Sequence, residues 1–344
     1  MKRVIVDRRA LGAVCVAALA CGGSDAPRPP AAGGTALAPA VAATAWWPLV
    51  GEYERGGRRL VLLERSETLR ILIDSGAGLP VVLRGADSLV PLEAPGAPGF
   101  VIARAGDGAV TALEDAGGRW TRRPLDGRTF RITPRRPVAQ LLTAARSAVP
   151  PDESGDLLPP DLVELTALDS TIRLDVRYAT TDNFMGARFY ETARAFLQRP
   201  AAEALVRAHR RLEALGYGLL IHDAYRPWYV TWMFWEATPD SQKAFVADPA
   251  AGSRHNRGAA VDLTLYERAT GAPVTMPSGY DEFSERAHPG YPGGTTRQRW
   301  HRDLLRATLE AEGFRVYQHE WWHFDYAGWE RYPILNLRFE DLDR

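Results

Sequence analysis

The sequence predicts an α+β protein: a C-terminal domain with a small antiparallel sheet flanked by helices, preceded by a small all-β accessory domain. Three observations carry this prediction. From residue 47 to about 135, short β-prone runs are broken by glycine turns roughly every ten residues. A stretch rich in proline and acid, "VPPDESGDLLPPD" at 149–161, then interrupts the chain. Beyond it, amphipathic helical runs alternate with strand-like ones, and all 7 histidines lie there, between His209 and His323.

Lys2, Arg3, Arg8 and Arg9 precede the apolar run "ALGAVCVAALA", which is too short to remain as a membrane-spanning helix and fits an export signal. "ALAC" at 18–21 resembles the lipobox of bacterial lipoproteins, so residues 1–21 are expected to be a signal peptide ending at a lipid-modified Cys21. That makes the chain an exported, membrane-anchored lipoprotein, facing the periplasm. The 2 cysteines are Cys15 and Cys21. With the first cleaved off and the second acylated, no thiol remains as nucleophile or metal ligand, and any metal falls to His, Asp and Glu. Residues 22–46, rich in Gly, Ala and Pro, cannot bury a core and read as a flexible tether. Residues 47–135 form the β domain, which carries no catalytic cluster, and 136–161 the linker.

Residues 162–344 form the third part. In "PAAEALVRAHRRLEALGYG", Pro200 starts a helix, Ala204, Leu205, Ala208, Leu212 and Leu215 form its apolar stripe, and Gly216 stops it. "YGLLIHD" and "GAAVDLTLY" read as buried strands, "RQRWHRDLLRATLEAEG" as a second amphipathic helix, and "FRVYQ" and "EWWHFDY" as strands. His209, His288 and His301 are expected on surfaces. The formal net charge is +0, with 24% charged and 46% hydrophobic residues, so the chain has no global basic field for nucleic acid.

"HEWWH" at 319–323 matches H-E-x-x-H, which on a helix places two histidines on one metal. Gly313 and the aromatic run that follows it favour strand over helix. The other reading takes His255 and Asp262 from "SRHNRGAAVDLTLY" and adds His323. Three such ligands on zinc leave one coordination position open and Glu320 free as a base. On a regular strand, Glu320 and His323 would face opposite sides, so a bulge, twist or strand end is predicted between them.

"DVRYATTDNF", "GYGLLIHDAYRP", "SRHNRGAAVD" and "EWWHF" together resemble the zinc D-Ala-D-Ala dipeptidases of peptidase family M15, over about Leu162 to Tyr332. That group also includes D,D-carboxypeptidases of cell-wall metabolism. The resemblance implies one Zn2+ held by His255, Asp262 and His323, Glu320 as catalytic base and Arg226 stabilising the transition state. Tyr178, Ser253 and Asp281 would contact a small dipeptide, the last offering a charge to its free amine. His222 before "DAYRP" and the run "MPSGYD" depart from the family pattern, which bears on the shape of the pocket. The alternatives are a D,D- or L,D-carboxypeptidase acting on peptidoglycan stems and a non-catalytic cell-wall-binding lipoprotein.

Overall fold

The structure, a computed structural model, describes residues 38–342 apart from 75, 95, 97 and 124–129. The signal peptide, Cys21 and most of the expected tether lie outside the described residues. Among those described, no helix is long and apolar enough to cross a membrane.

The first body is a closed barrel of eight strands, β1 (Gly51–Arg55), β2 (Arg58–Arg65), β3 (Thr68–Ile73), β4 (Leu79–Arg84), β5 (Ser88–Pro91), β6 (Phe100–Arg104), β7 (Val110–Asp115) and β8 (Gly118–Arg122). Neighbours pair antiparallel in chain order, and β1 meets β8 at Tyr53↔Arg122. Alternation along the strands sends Leu60, Leu62, Leu69 and Ile71 inward against Tyr53 and Trp120. Closure leaves no free sheet edge.

Then follow α1 (Val138–Ala145), β9 (Leu162–Glu164), α2 (Leu165–Leu168), β10 (Arg173–Leu174), β11 (Phe196–Gln198), α3 (Arg199–Glu213), β12 (Tyr217–Asp223), α4 (Trp228–Ala237), β13 (Ala260–Glu267), α5 (Thr296–Glu310), β14 (Phe314–Tyr317) and β15 (Glu320–Tyr326). Five strands form one sheet in the order β10-β12-β13-β15-β14. The expectation of an antiparallel sheet holds for all but one pairing: β10 runs parallel to β12. The long crossover containing α3 returns the chain to the same end of the sheet, as a parallel pair requires. Leu219, Ile221, Val261, Leu263 and Leu265 on one face of the sheet join the apolar stripes of α3 and α5 in the main core. His209 on α3 and His301 on α5 are buried, not on surfaces as expected. His209 Nδ1 accepts the Leu219 N–H at 3.1 Å, and His301 Nε2 meets the Tyr217 hydroxyl at 3.2 Å, so each ring has a polar partner in the core.

The barrel is joined to the second body through Glu64, which is 2% exposed. Its carboxylate accepts the backbone N–H of Thr296, the first residue of α5, at 2.7 Å and the Thr296 hydroxyl at 2.9 Å. Its carbonyl accepts from Arg299 at 2.7 Å. A negative charge at a helix N-terminus is favoured by the helix dipole.

Candidate metal centre and pocket

Sheet register brings the predicted residues to one place. Asp262 on β13 pairs directly with His323 on β15, and on its other side with Asp223 on β12. Each alignment depends on an irregularity. On β12 the register skips at His222, moving Asp223 out of phase with Ile221 and onto the Asp262 face. On β15 it jumps from Val316↔Phe324 to Tyr317↔Glu320. The consecutive Trp321 and Trp322 are both buried in the main core, which lets Glu320 and His323 reach one pocket. This is the predicted bulge. Because 320–326 is a strand, the helical reading of "HEWWH" is excluded. His319 is exposed in the tight turn before β15, with Nδ1 3.4 Å from His288 Nε2.

His255 comes from the 3₁₀ turn Arg254–Arg257, capped at its start by the Ser253 side chain and at its end by Gly258 at φ +64°. The positive φ at Gly258 favours glycine, and a Cβ there would lie 2.4 Å from Leu162 Cδ2, so that side chain would have to shift. Backbone bonds tie this turn to the segment after β12: Arg226 N–H donates to the His255 carbonyl at 3.1 Å, and the Asn256 side chain donates to the Arg226 carbonyl at 2.8 Å.

His255 Nε2, His323 Nδ1 and Asp262 Oδ1 form a triangle with sides of 3.1, 3.0 and 3.3 Å. The outer ring nitrogens are already committed. His255 Nδ1–H donates to the Ala224 carbonyl at 2.6 Å, and His323 Nε2–H donates to Asp325 Oδ1 at 2.9 Å. Both rings are thereby held in the tautomer whose lone pair faces the third group. Asp262 Oδ1 is buried and accepts no aligned hydrogen bond, while Oδ2 accepts from Tyr280 at 3.0 Å. Three electron-pair donors facing one point, one of them an orphaned carboxylate oxygen, fit a divalent cation. The spacing agrees with the roughly 3.3 Å edges of a tetrahedron built on zinc bonds of about 2.0 Å.

With no cation in the triangle, the neighbouring carboxylates draw a proton onto His323 in its place. Burial works against a charge on His323, but Asp262 and Asp325 outweigh it and push the ring up to about 10. Burial raises Asp262, yet the two imidazoles hold it well below the usual carboxylate range. Burial pushes Glu320 up to about 7, with His323 pulling down and Asp262 pushing up. Its Oε2 is 3.7 Å from His323 Nδ1. Asp281 is raised well above the usual range by burial and then by Asp262. Four carboxylates, Asp223, Asp262, Asp281 and Glu320, thus crowd around Arg226.

Arg226 is held by Asp223 Oδ2, which accepts its Nε–H at 2.8 Å, and its Nη2 is 3.6 Å from Asp262 Oδ2. The guanidinium lies 5.1 Å from the ring centroids of both Tyr178 and Phe234. The Tyr178 hydroxyl donates to Asp281 Oδ2 at 3.0 Å. Asp281 has φ +55°, a strained conformation for a non-glycine residue. Tyr178, Arg226, Ser253, His255, Asp262, Asp281, Glu320 and His323 all line one pocket of about 370 Å³. Only Cys21 of the predicted site residues falls outside the described part.

The sequence alone assigns no role to Asp325 or Tyr280. Asp325 could have been found: two residues after His323 on a strand, it lies on the same face. Tyr280 could not, because it reaches Asp262 from a loop whose path no local pattern fixes.

Comparison with known proteins finds relatives over this same half of the chain. The family model Peptidase_M15, described as D-ala-D-ala dipeptidase, matches residues 160–341. The D-alanyl-D-alanine dipeptidase of Escherichia coli (strain K12) is 36% identical over 179 residues, covering 52% of this chain and 91% of that protein. The protein of the same name from Enterococcus faecalis is 37% identical over 189 residues, covering 49% and 92%. That from Streptomyces coelicolor is 36% identical over 182 residues, covering 48% and 90%. All of these cover about half of the chain or slightly more.

Proposed function

The chain belongs to the D-Ala-D-Ala dipeptidase family of M15 peptidases, and on that premise we propose that it is a zinc metallopeptidase that hydrolyses D-Ala-D-Ala and similar D,D-dipeptides in cell-wall metabolism. The observation that carries this reading is the convergence of the His255, Asp262 and His323 donor atoms beside Glu320 in one pocket. His255, Asp262 and His323 would hold one zinc per chain. When bound, zinc supplies Lewis acidity, polarising a carbonyl and lowering the pKa of water towards about 7.

This chain's own residues supply the rest. Glu320 accepts the proton of the attacking water and returns it to the leaving amine. Arg226, fixed by Asp223, presents a second positive group to the charge that develops on the scissile carbonyl oxygen. Asp281, oriented by Tyr178, receives the substrate ammonium, and Ser253 faces the same pocket as a hydroxyl donor. A free dipeptide brings a positive charge where carboxylates are in excess. N-acylation removes that charge, so D-Ala-D-Ala should be cleaved and N-acetyl-D-Ala-D-Ala refused. Cleavage of the acylated compound at a similar rate would favour the carboxypeptidase alternative. Glu320→Gln should keep zinc and lose about 10²–10⁴ in turnover; loss of metal instead would overturn the role given to Glu320.

The N-terminal sequence supports a lipid anchor at Cys21, with the enzyme exported and facing the periplasm and the barrel between anchor and site. Labelling with a radioactive fatty acid tests this: Cys21→Ser should abolish incorporation, and labelling that persists would remove the anchor from the account.

A further inference from the structure

Beside its acids, the pocket is lined on one side by phenylalanines. Around 370 Å³ falls within the range of sites that enclose much larger small molecules. From Asp281, the Tyr178 hydroxyl leads to a ring 4.9 Å from Phe234, which lies 4.9 Å from Phe184. Phe184 is 5.3 Å from Phe283, and Phe283 stacks on Phe245 at 4.8 Å with 11° between planes. Phe130 stacks on the same ring at 4.7 Å and holds it. Phe184, Phe234, Phe245 and Phe283 all line the pocket. Phe245 and Phe283 remain half-buried, so part of each ring stays open to the pocket. This aromatic run starts at the acid that receives the amine. Ser253 and Arg254, which can receive a carboxylate, come instead from the turn before His255.

We propose, resting on the dipeptidase reading above, that the preferred substrates are D,D-dipeptides whose amine-bearing residue carries a bulky apolar side chain, such as D-leucine. With the ammonium at Asp281, that side chain lies along Phe245 and Phe283. A methyl group there leaves the rings in water, whereas a branched chain removes both surfaces from solvent.

The test compares kcat/KM of the zinc-loaded full chain for D-Leu-D-Ala, D-Ala-D-Leu and D-Ala-D-Ala. The expected result is D-Leu-D-Ala about tenfold or more above both others, a size of effect ordinary for added methylenes in an apolar pocket. Phe245→Ala and Phe283→Ala should each pull the D-Leu-D-Ala to D-Ala-D-Ala ratio back towards one. Equal or slower cleavage of D-Leu-D-Ala, with D-Ala-D-Ala still cleaved, overturns this proposal alone, as does a preference for D-Ala-D-Leu. Failure to cleave any of the three by zinc-loaded protein overturns the dipeptidase reading beneath it.

Discussion

Asp325 acts on the metal site through the ring of His323. Its carboxylate fixes the tautomer and orientation of His323 without facing the centre of the donor triangle. Its other oxygen is 3.5 Å from Arg254, whose guanidinium lies 4.8 Å from the Trp329 ring centroid. Asp325→Ala is therefore expected to weaken zinc binding about 10- to 100-fold, read by competition with a chromogenic chelator. An unchanged affinity would mean that the ring is held by its packing alone. His319→Ala should leave zinc affinity unchanged, because that imidazole is exposed in a turn and bonds only to its neighbours Gln318 and His288.

At the scale of elements, the site is made by two strand irregularities and one capped turn. The turn is the most sensitive to substitution. Gly258→Ala combines a left-handed backbone with a close contact to Leu162, a cost of about 1–2 kcal/mol. It should lower the urea midpoint and, by displacing His255, also lower zinc affinity; a fall in stability with zinc affinity intact would show that the turn and the ligand are uncoupled. The long elements were legible in the sequence. The stripe in α3 with Pro200 and Gly216 at its ends, the α5 pattern and the aromatic strand β15 each follow from period and punctuation. The bulge before His323 was also legible, because two residues three apart had to share a pocket. The skip at His222 was not, since nothing local distinguishes a bulged strand residue from a regular one. Nor was the burial of His209 and His301, whose partners Leu219 and Tyr217 lie on β12, a separate element. The parallel edge strand β10 is only two residues long, below what alternation can reveal.

For the whole molecule, two consequences follow from how the barrel and the mixed sheet are built together. Glu64→Ala leaves the first N–H of α5 without its acceptor in a buried interface, which should cost about 1–3 kcal/mol. Limited proteolysis near the linker should then accelerate, and an unchanged cleavage rate would mean that the junction does not depend on this carboxylate. Stability should also fall in mild acid. Burial, then Arg297, depress His301 to about 4, below its unfolded value of 6.5. The unfolded chain therefore takes up the proton first. The contribution of the neutral ring is complete above pH 6.5 and is lost as pH falls towards 4, on the order of 3 kcal/mol in all. Urea midpoints for His301→Gln should show a shallower fall across that window than the parent chain; an identical slope would remove His301 as the cause.

The central claim is that imidazoles 255 and 323 and carboxylate 262 hold one zinc beside Glu320. Anomalous scattering from crystals of the zinc-loaded protein, recorded on both sides of the zinc edge, tests it most directly. The predicted result is one strong peak in bonding contact with His255 Nε2, Asp262 Oδ1 and His323 Nδ1. A peak coordinated by His319, or none between those three atoms, would contradict it.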